Sequence, residues 1–315
     1  MTTLVTGANG FVGSELCARM VRDGLAVRGA VRTLSSLPDD IDAIAIGCLS
    51  SETDWTAALR SIDQVVHLAA RVHFMKDKSA DPLADFYRVN VEGTANLARQ
   101  AAVAGVRRFV YLSSIKVNGE CTQEGRPFTA DDAPAPEDPY GISKHEAEQA
   151  LRQIAAETGM EVVIIRPPLV YGPGVKANFK SMMRWLARGV PLPLAAVTQN
   201  RRSLIALDNL VDFIVTCLNH PAAANQTFLV SDGEDLSTAE LLQRMGTAMG
   251  YPVRLFYVPQ PLLRFGAKLL NKSGIYQRLL GSLQLDIFKT RLLLGWTPPI
   301  SVAEGLRRTA QESRG

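Results

Sequence analysis

Three glycines, Gly7, Gly10 and Gly13, stand at three-residue intervals between a short apolar run, Thr3 to Thr6, and an amphipathic stretch beginning near Phe11. Few folds accept that order. A strand that turns tightly into a helix puts the helix's first, unbonded N–H groups at the end of a sheet, and glycines let another backbone or a ligand come close to them. Helix N-termini carry a partial positive charge, so the turn suits a pyrophosphate. The bare spacing also occurs in ligand-free turns. With a strand before it and a helix after it, the segment reads as a dinucleotide loop, with Gly7, Asn9, Gly10, Phe11, Val12 and Gly13 facing the cofactor.

The strand-then-helix rhythm continues at Ala26–Val31, Ala43–Ile46, Val65–Ala69, Phe109–Ser113 and Val162–Arg166, with long helical stretches at Pro82–Ala104 and Tyr140–Thr158. Unbroken Val/Ile/Leu runs are the mark of strands buried on both faces. They imply a parallel sheet with crossover helices, an α/β fold. After Arg166 the rhythm breaks at Pro167, Pro168, Pro173, Pro191 and Pro193. Residues 1–166 are expected to form a dinucleotide-binding domain and 167–315 mainly a smaller substrate-binding α/β region. Within the latter, 203–230 is expected to return to the first sheet.

Composition narrows the classes of function. The net charge of +3 and the lack of a Lys/Arg cluster interleaved with aromatics argue against a nucleic-acid partner and suit a small anionic ligand. Cys17, Cys48, Cys121 and Cys217 show neither zinc-ligand nor disulfide-framework spacing, so no metal is expected. The N-terminus enters a strand at once, without the pattern of a signal peptide, and no apolar stretch approaches the roughly 20 residues that span a bilayer. A cytoplasmic enzyme is the expectation.

Cofactor choice is normally set at the end of the second strand, where an acid pairs with the adenosine ribose hydroxyls. Here Arg32 stands there, and the first acids, Asp39 and Asp40, come later. An arginine can fork onto a 2′-phosphate, which favours NADP(H) and leaves NAD(H) possible. Tyr140 and Lys144 lie four residues apart at a helix start and share a face. An ammonium beside a phenol would lower the phenol's pKa toward working pH and let it exchange a proton with a sugar oxygen. Alone, such a pair is more often a surface pair.

Order changes that reading. The glycine loop, His67-Leu68-Ala69-Ala70, Asn90, Ser113-Ser114, Tyr140 with Lys144, Arg166-Pro167 through Tyr171-Gly172-Pro173, and Asp286, Lys289 and Leu294-Gly295-Trp296 follow one another as in the extended short-chain dehydrogenases/reductases, the sugar epimerase/dehydratase group. The resemblance covers nearly the whole chain and implies a Rossmann-like, doubly wound parallel sheet. It also implies Tyr140 as acid/base, Lys144 on the nicotinamide ribose and Ser114 on the reacting oxygen. Leu68, Ala69, Ala70 and Pro167 would line the cofactor. Asn90, Asn178, Arg202 and Asp286 would serve the nucleotide sugar.

Departures from the family pattern restrict the chemistry. Ile115 and Lys116 stand where the sugar dehydratases carry an Asp-Glu pair, so water loss lacks its acid and base. Ile115 and Gly174 replace the Cys and His of the 3,5-epimerase/reductases, and Cys48-Leu49 replaces an adenine-side Asp. Short segments at Ser113–Gly119, Pro139–Lys144 and Gly281–Asp286 resemble the reductases that make UDP-N-acetylquinovosamine from a UDP-4-keto-6-deoxy sugar. NADPH-dependent 4-ketoreduction for surface polysaccharide is thus the first expectation. An NAD-dependent UDP-hexose or UDP-N-acetylhexosamine 4-epimerase is the alternative, and a non-catalytic dinucleotide-binding regulator a third reading.

The substrate partner implied is a UDP-sugar, and the two long helices suit a homodimer. His73 is read as structural, and Cys121, in the loop before the catalytic helix, could approach substrate, with nothing near it in sequence to activate its thiol. In Pro259–Leu283, Arg264, Lys268 and Lys272 recur beside Leu262, Phe265 and Leu269. A helix capping the substrate lobe, or a dimer contact, is preferred there over membrane-surface docking.

Overall fold

The computed structural model describes residues 1–34, 37–38, 41–72, 81–269 and 279–312. Its strands are β1 (Thr2–Thr6), β2 (Ala26–Val31), β3 (Asp42–Ala45), β4 (Gln64–His67), β5 (Arg108–Leu112), β6 (Glu161–Arg166), β7 (Leu169–Tyr171), β8 (Leu204–Ala206) and β9 (Thr227–Leu229). Seven of them form one sheet in the order β3-β2-β1-β4-β5-β6-β9, every pair parallel. Strand order reverses between β1 and β4, and in such sheets the crevice beyond the strands' carboxyl ends at that point is where ligands bind.

The central strands carry apolar residues on both faces, as the sequence runs imply. Val5, Val66, Val110, Val163 and Ile165 join one core with α1 (Phe11–Arg22) and α6 (Leu207–Asn219). Leu4, Val65, Phe109 and Tyr111 point the other way. They pack with α3 (Gly93–Val103) and α4 (Pro139–Thr158). The expected helix over Pro82–Ala104 is one helical rod with an inserted π turn at Tyr87–Glu92 between α2 (Pro82–Phe86) and α3. Such turns are often found at functional sites.

The second lobe is built around a third core. It includes α5 (Ala177–Ala187), α7 (Thr238–Met249) and α8 (Gln260–Leu269). Thr227–Leu229 does return to the main sheet, beside β6, but Ser203–Leu207 does not. β8 pairs with β7 instead, because Ser203 is tied by its backbone N–H to Leu283 and Leu204 and Ala206 turn into the third core. No described helix is long and apolar enough to cross a membrane.

Candidate active site

The glycine loop closes on backbone rather than on side chains. Gly7 adopts φ +66°, in the left-handed region, and a Cβ there would meet the Ala69 nitrogen at 3.0 Å. At Gly13 a Cβ would come within 2.1 Å of the Gly7 carbonyl oxygen, so neither position admits a side chain. α1 begins with no side-chain cap and no acid in its first turn. Its leading N–H groups thus have no built-in anion, which fits a pyrophosphate.

Behind the loop, Thr6 Oγ1 accepts the Leu68 and Ala69 N–H groups at 3.2 and 3.1 Å, and lies 2.7 Å from His67 Nδ1. Two donors occupy the threonine's lone pairs, so its own hydrogen goes to Nδ1. The His67 proton then sits on Nε2 and is donated to Thr94 Oγ1 at 2.9 Å. Burial, with Lys144 nearby, pushes His67 down to about 3, so the ring stays neutral.

The catalytic group forms where β5 ends and α4 starts. Asp138 caps α4 by accepting the Gly141 N–H at 2.7 Å, and Lys116 binds both Asp138 and Glu120. Gly141 leaves no room for a Cβ against the Lys116 carbonyl, 2.9 Å away. The helix start is therefore clamped to the turn that carries Ser114, whose Oγ accepts the Lys116 N–H at 3.3 Å. Lys116, which in the sequence only signals a missing dehydratase acid, here anchors the catalytic helix.

Lys144 donates to the Leu112 carbonyl at 2.8 Å, at the end of β5. Its Nζ lies 4.5 Å from the Tyr111 ring centroid and 5.9 Å from that of Tyr140. Burial pushes this ammonium down to about 7, against the pull of Glu148. Burial also pushes the half-buried Tyr140 phenol upward, and Asp138 adds to it. The expected lowering of the Tyr140 pKa by Lys144 is thus not what the protein alone provides. The ammonium is aimed at Leu112 and Tyr111, and desolvation outweighs its field.

Under this group lies an ionic cluster that the sequence reading left without a role. Glu148, one turn beyond Lys144, accepts Ser113 Oγ–H at 2.6 Å and Arg166 Nε–H and Nη2–H at 2.9 and 2.6 Å. Arg152 adds a bond at 3.0 Å, and Arg166 also donates to Asn118 at 2.9 Å. Burial opposes charge on Glu148, but Arg166, Ser113 and Arg152 outweigh it and hold the carboxyl below its ordinary range. The legible signal was Arg166 itself, a cation opening the Pro167-Pro168 segment directly after a buried strand; such a cation needs a buried anion.

The remaining candidates separate by position. Asn90, in the π turn, is fully buried. Its oxygen accepts the Arg71 N–H at 2.8 Å and its amide donates to the Arg71 carbonyl and to Ser143, both at 3.0 Å. It is neither a surface amide nor a group free to grip substrate; it ties the segment after β4 to α4. Leu68, Ala69 and Ala70 follow β4 half-buried, and buried Pro167 receives the Ile115 N–H at 3.0 Å. Arg32 is exposed just past β2. Arg202 donates to the Gly281 carbonyl at 2.9 Å. Asp286 is exposed and accepts the Phe288 N–H at 2.7 Å in a local turn just before helix Phe288–Leu294, while Trp296 is buried in the first core. Asp39, Asp40, His73, Lys272 and the Asn178 side chain lie outside the described residues.

Residues 3–231 match the model of the NAD dependent epimerase/dehydratase family. A UDP-glucose 4-epimerase of Vibrio cholerae is 49% identical over 309 residues, covering 98% of this chain and 94% of that protein. Two solved structures share the fold over the full chain. The UDP-N-acetylglucosamine 4-epimerase from Bacillus cereus has a TM-score of 0.81 at 21% identity and is covered over 100% of its length. The UDP-glucose 4-epimerase of Thermus thermophilus in complex with NAD has a TM-score of 0.79 at 23% identity and is covered over 99%. The chain is an enzyme of the NAD dependent epimerase/dehydratase family, within the extended short-chain dehydrogenases/reductases.

Proposed function

We propose that this enzyme is a UDP-sugar 4-epimerase that retains NAD and inverts the C4 hydroxyl of a UDP-hexose or UDP-N-acetylhexosamine. The observation that carries the reading is the 49% identity, along 98% of the chain, with a UDP-glucose 4-epimerase. It replaces the first expectation, 4-ketoreduction with NADPH, which rested on three short segments and on Arg32. Arg32 is an exposed side chain at a loop edge, and such a position alone is weak ground for NADP(H).

The glycine loop and the first turn of α1 would hold the NAD pyrophosphate, and Lys144 the nicotinamide ribose. Bound NAD supplies reversible hydride exchange at the carbon bearing the oxygen, and its nicotinamide charge favours the Tyr140 phenolate. Tyr140 takes the C4 hydroxyl proton and returns it, while Ser114 donates a hydrogen bond to the same oxygen as its charge changes. Ile115 and Lys116 leave no carboxylate beside Ser114, so elimination has no base there.

The test is incubation of the purified enzyme with UDP-glucose or UDP-N-acetylglucosamine and only catalytic NAD. The expected result is approach to equilibrium with the galacto epimer and no net NADH. Absence of interconversion, with one NADPH consumed per UDP-4-keto-6-deoxy sugar, would overturn the reading and restore the reductase.

A further inference from the structure

Charge is not spread evenly along the chain. Residues 175–207 and 251–269 hold nine Lys or Arg and no Asp or Glu, although the whole chain carries 31 acids against 34 bases. The two stretches are neighbours in the fold. Leu192 N–H donates to the Arg254 carbonyl, Phe256 N–H to the Leu192 carbonyl and Ala195 N–H to the Phe256 carbonyl, so 251–259 runs beside the segment that follows α5. Gln260, the first residue of α8, donates to the Ala196 carbonyl at 3.4 Å.

The same surface exposes large apolar side chains. Trp185, Val190, Phe256, Tyr257, Leu262 and Phe265 all lie open to solvent, Tyr257 at 72% and Phe265 at 67%. α8 packs Leu263 against the third core, which leaves Leu262 and Phe265 outside it. The expected capping helix thus packs Leu263 inward and leaves Leu262 and Phe265 facing solvent. Lys180, Arg184, Arg188 and Arg254 are exposed around these groups, and none is ion-paired among the described residues.

We propose that this basic, aromatic-bearing face of the substrate lobe docks the enzyme on an anionic lipid bilayer. Aromatics and aliphatics at the headgroup boundary with cations around them are what interfacial binding requires. A second copy fits the face less well, because a two-fold contact would set its cations against themselves. Duplex or single-stranded nucleic acid would use the cations but gains nothing from Leu262 and Val190. The residues of this face lie on α5, α8 and the 251–259 segment, whereas Tyr140 and Lys144 lie on α4 and the glycine loop between β1 and α1, so docking and turnover can be tested separately.

The experiment is co-sedimentation of the full chain with phosphatidylcholine vesicles, alone or mixed with phosphatidylglycerol, at low and high salt. Binding is expected only with phosphatidylglycerol and is reversed by salt. Each surface cation changes partitioning by about fivefold, so Arg184→Glu with Arg188→Glu should lower it by at least about 25-fold. Phe256→Ser with Tyr257→Ser should lower it without removing the salt dependence. Both variants should keep wild-type turnover of a soluble UDP-sugar. No binding to phosphatidylglycerol vesicles, equal binding to both vesicle types, or partitioning unchanged in both variants would overturn the proposal. So would a DNA oligonucleotide that displaces the protein from vesicles at low concentration.

Discussion

Two buried polar clusters lie under the carboxyl edge of the sheet, and they are built in opposite ways. Thr6, His67 and Thr94, beneath the glycine loop, form a chain of neutral hydrogen bonds. Glu148, Arg166, Ser113 and Asn118, beneath the catalytic turn, form a charged one. Tyr111 joins them, stacked on His67 with ring centroids 5.8 Å apart and carrying Lys144 Nζ over its own ring. The contrast follows from the partners each cluster has: beneath the glycine loop burial, with Lys144 nearby, keeps His67 neutral. At the catalytic turn a fixed anion, Glu148, supports the Lys144 ammonium against burial.

Tyr140→Phe should break the catalytic half and leave the dinucleotide half intact. Turnover should fall by about 10² to 10⁴, the usual worth of a positioned acid/base, while the dinucleotide still binds. Steady-state kinetics with a parallel cofactor titration checks this. Retained turnover would remove Tyr140 from the chemistry, and lost cofactor binding would make it a structural residue.

Glu148→Gln tests the charged cluster. It leaves Arg166 buried without its anion, which should cost about 3–5 kcal/mol in urea unfolding. The variant should also shift the pH profile of turnover, because the charge favouring the Lys144 ammonium is gone. A stability loss with an unmoved profile would mean that Glu148 serves packing only.

The glycine loop, the strand rhythm and the Tyr140/Lys144 face were legible because each depends on local order: a turn, a period, a helical spacing. Both clusters beneath them were not. Glu148 meets Arg166 and Ser113 only after α4 packs on β5 and β6, and Asn90 reaches Arg71 through a π turn that no residue in Tyr87–Glu92 announces. The second lobe was harder still. Arg202 pairs in isolated bridges with Leu236 and Leu283, contacts between distant segments that leave no periodic trace. Asp286 and Trp296 could be matched to a family segment, but that Asp286 would lie exposed in a local turn with Phe288 and Trp296 fill a core could not be read there.

The neutral cluster yields the clearest sign. Unfolded His67 takes up a proton near pH 6.5, whereas folded His67 resists until about pH 3. The unfolded state therefore binds more protons in that window, and stability falls by about 1.4 kcal/mol per pH unit as pH drops through it. The stability difference between wild type and His67→Asn should narrow from pH 6.5 downward. A constant gap would show that His67 is not held neutral.

Reversible exchange at C4 within one bound complex is the central claim, and deuterium at C4 of UDP-glucose reports on it directly. With enzyme-bound NAD and no added cofactor, the label should appear at C4 of the galacto product, with none in solvent and none on free dinucleotide. Deuterium found on released cofactor, or a product epimer that has lost its label, would contradict the account.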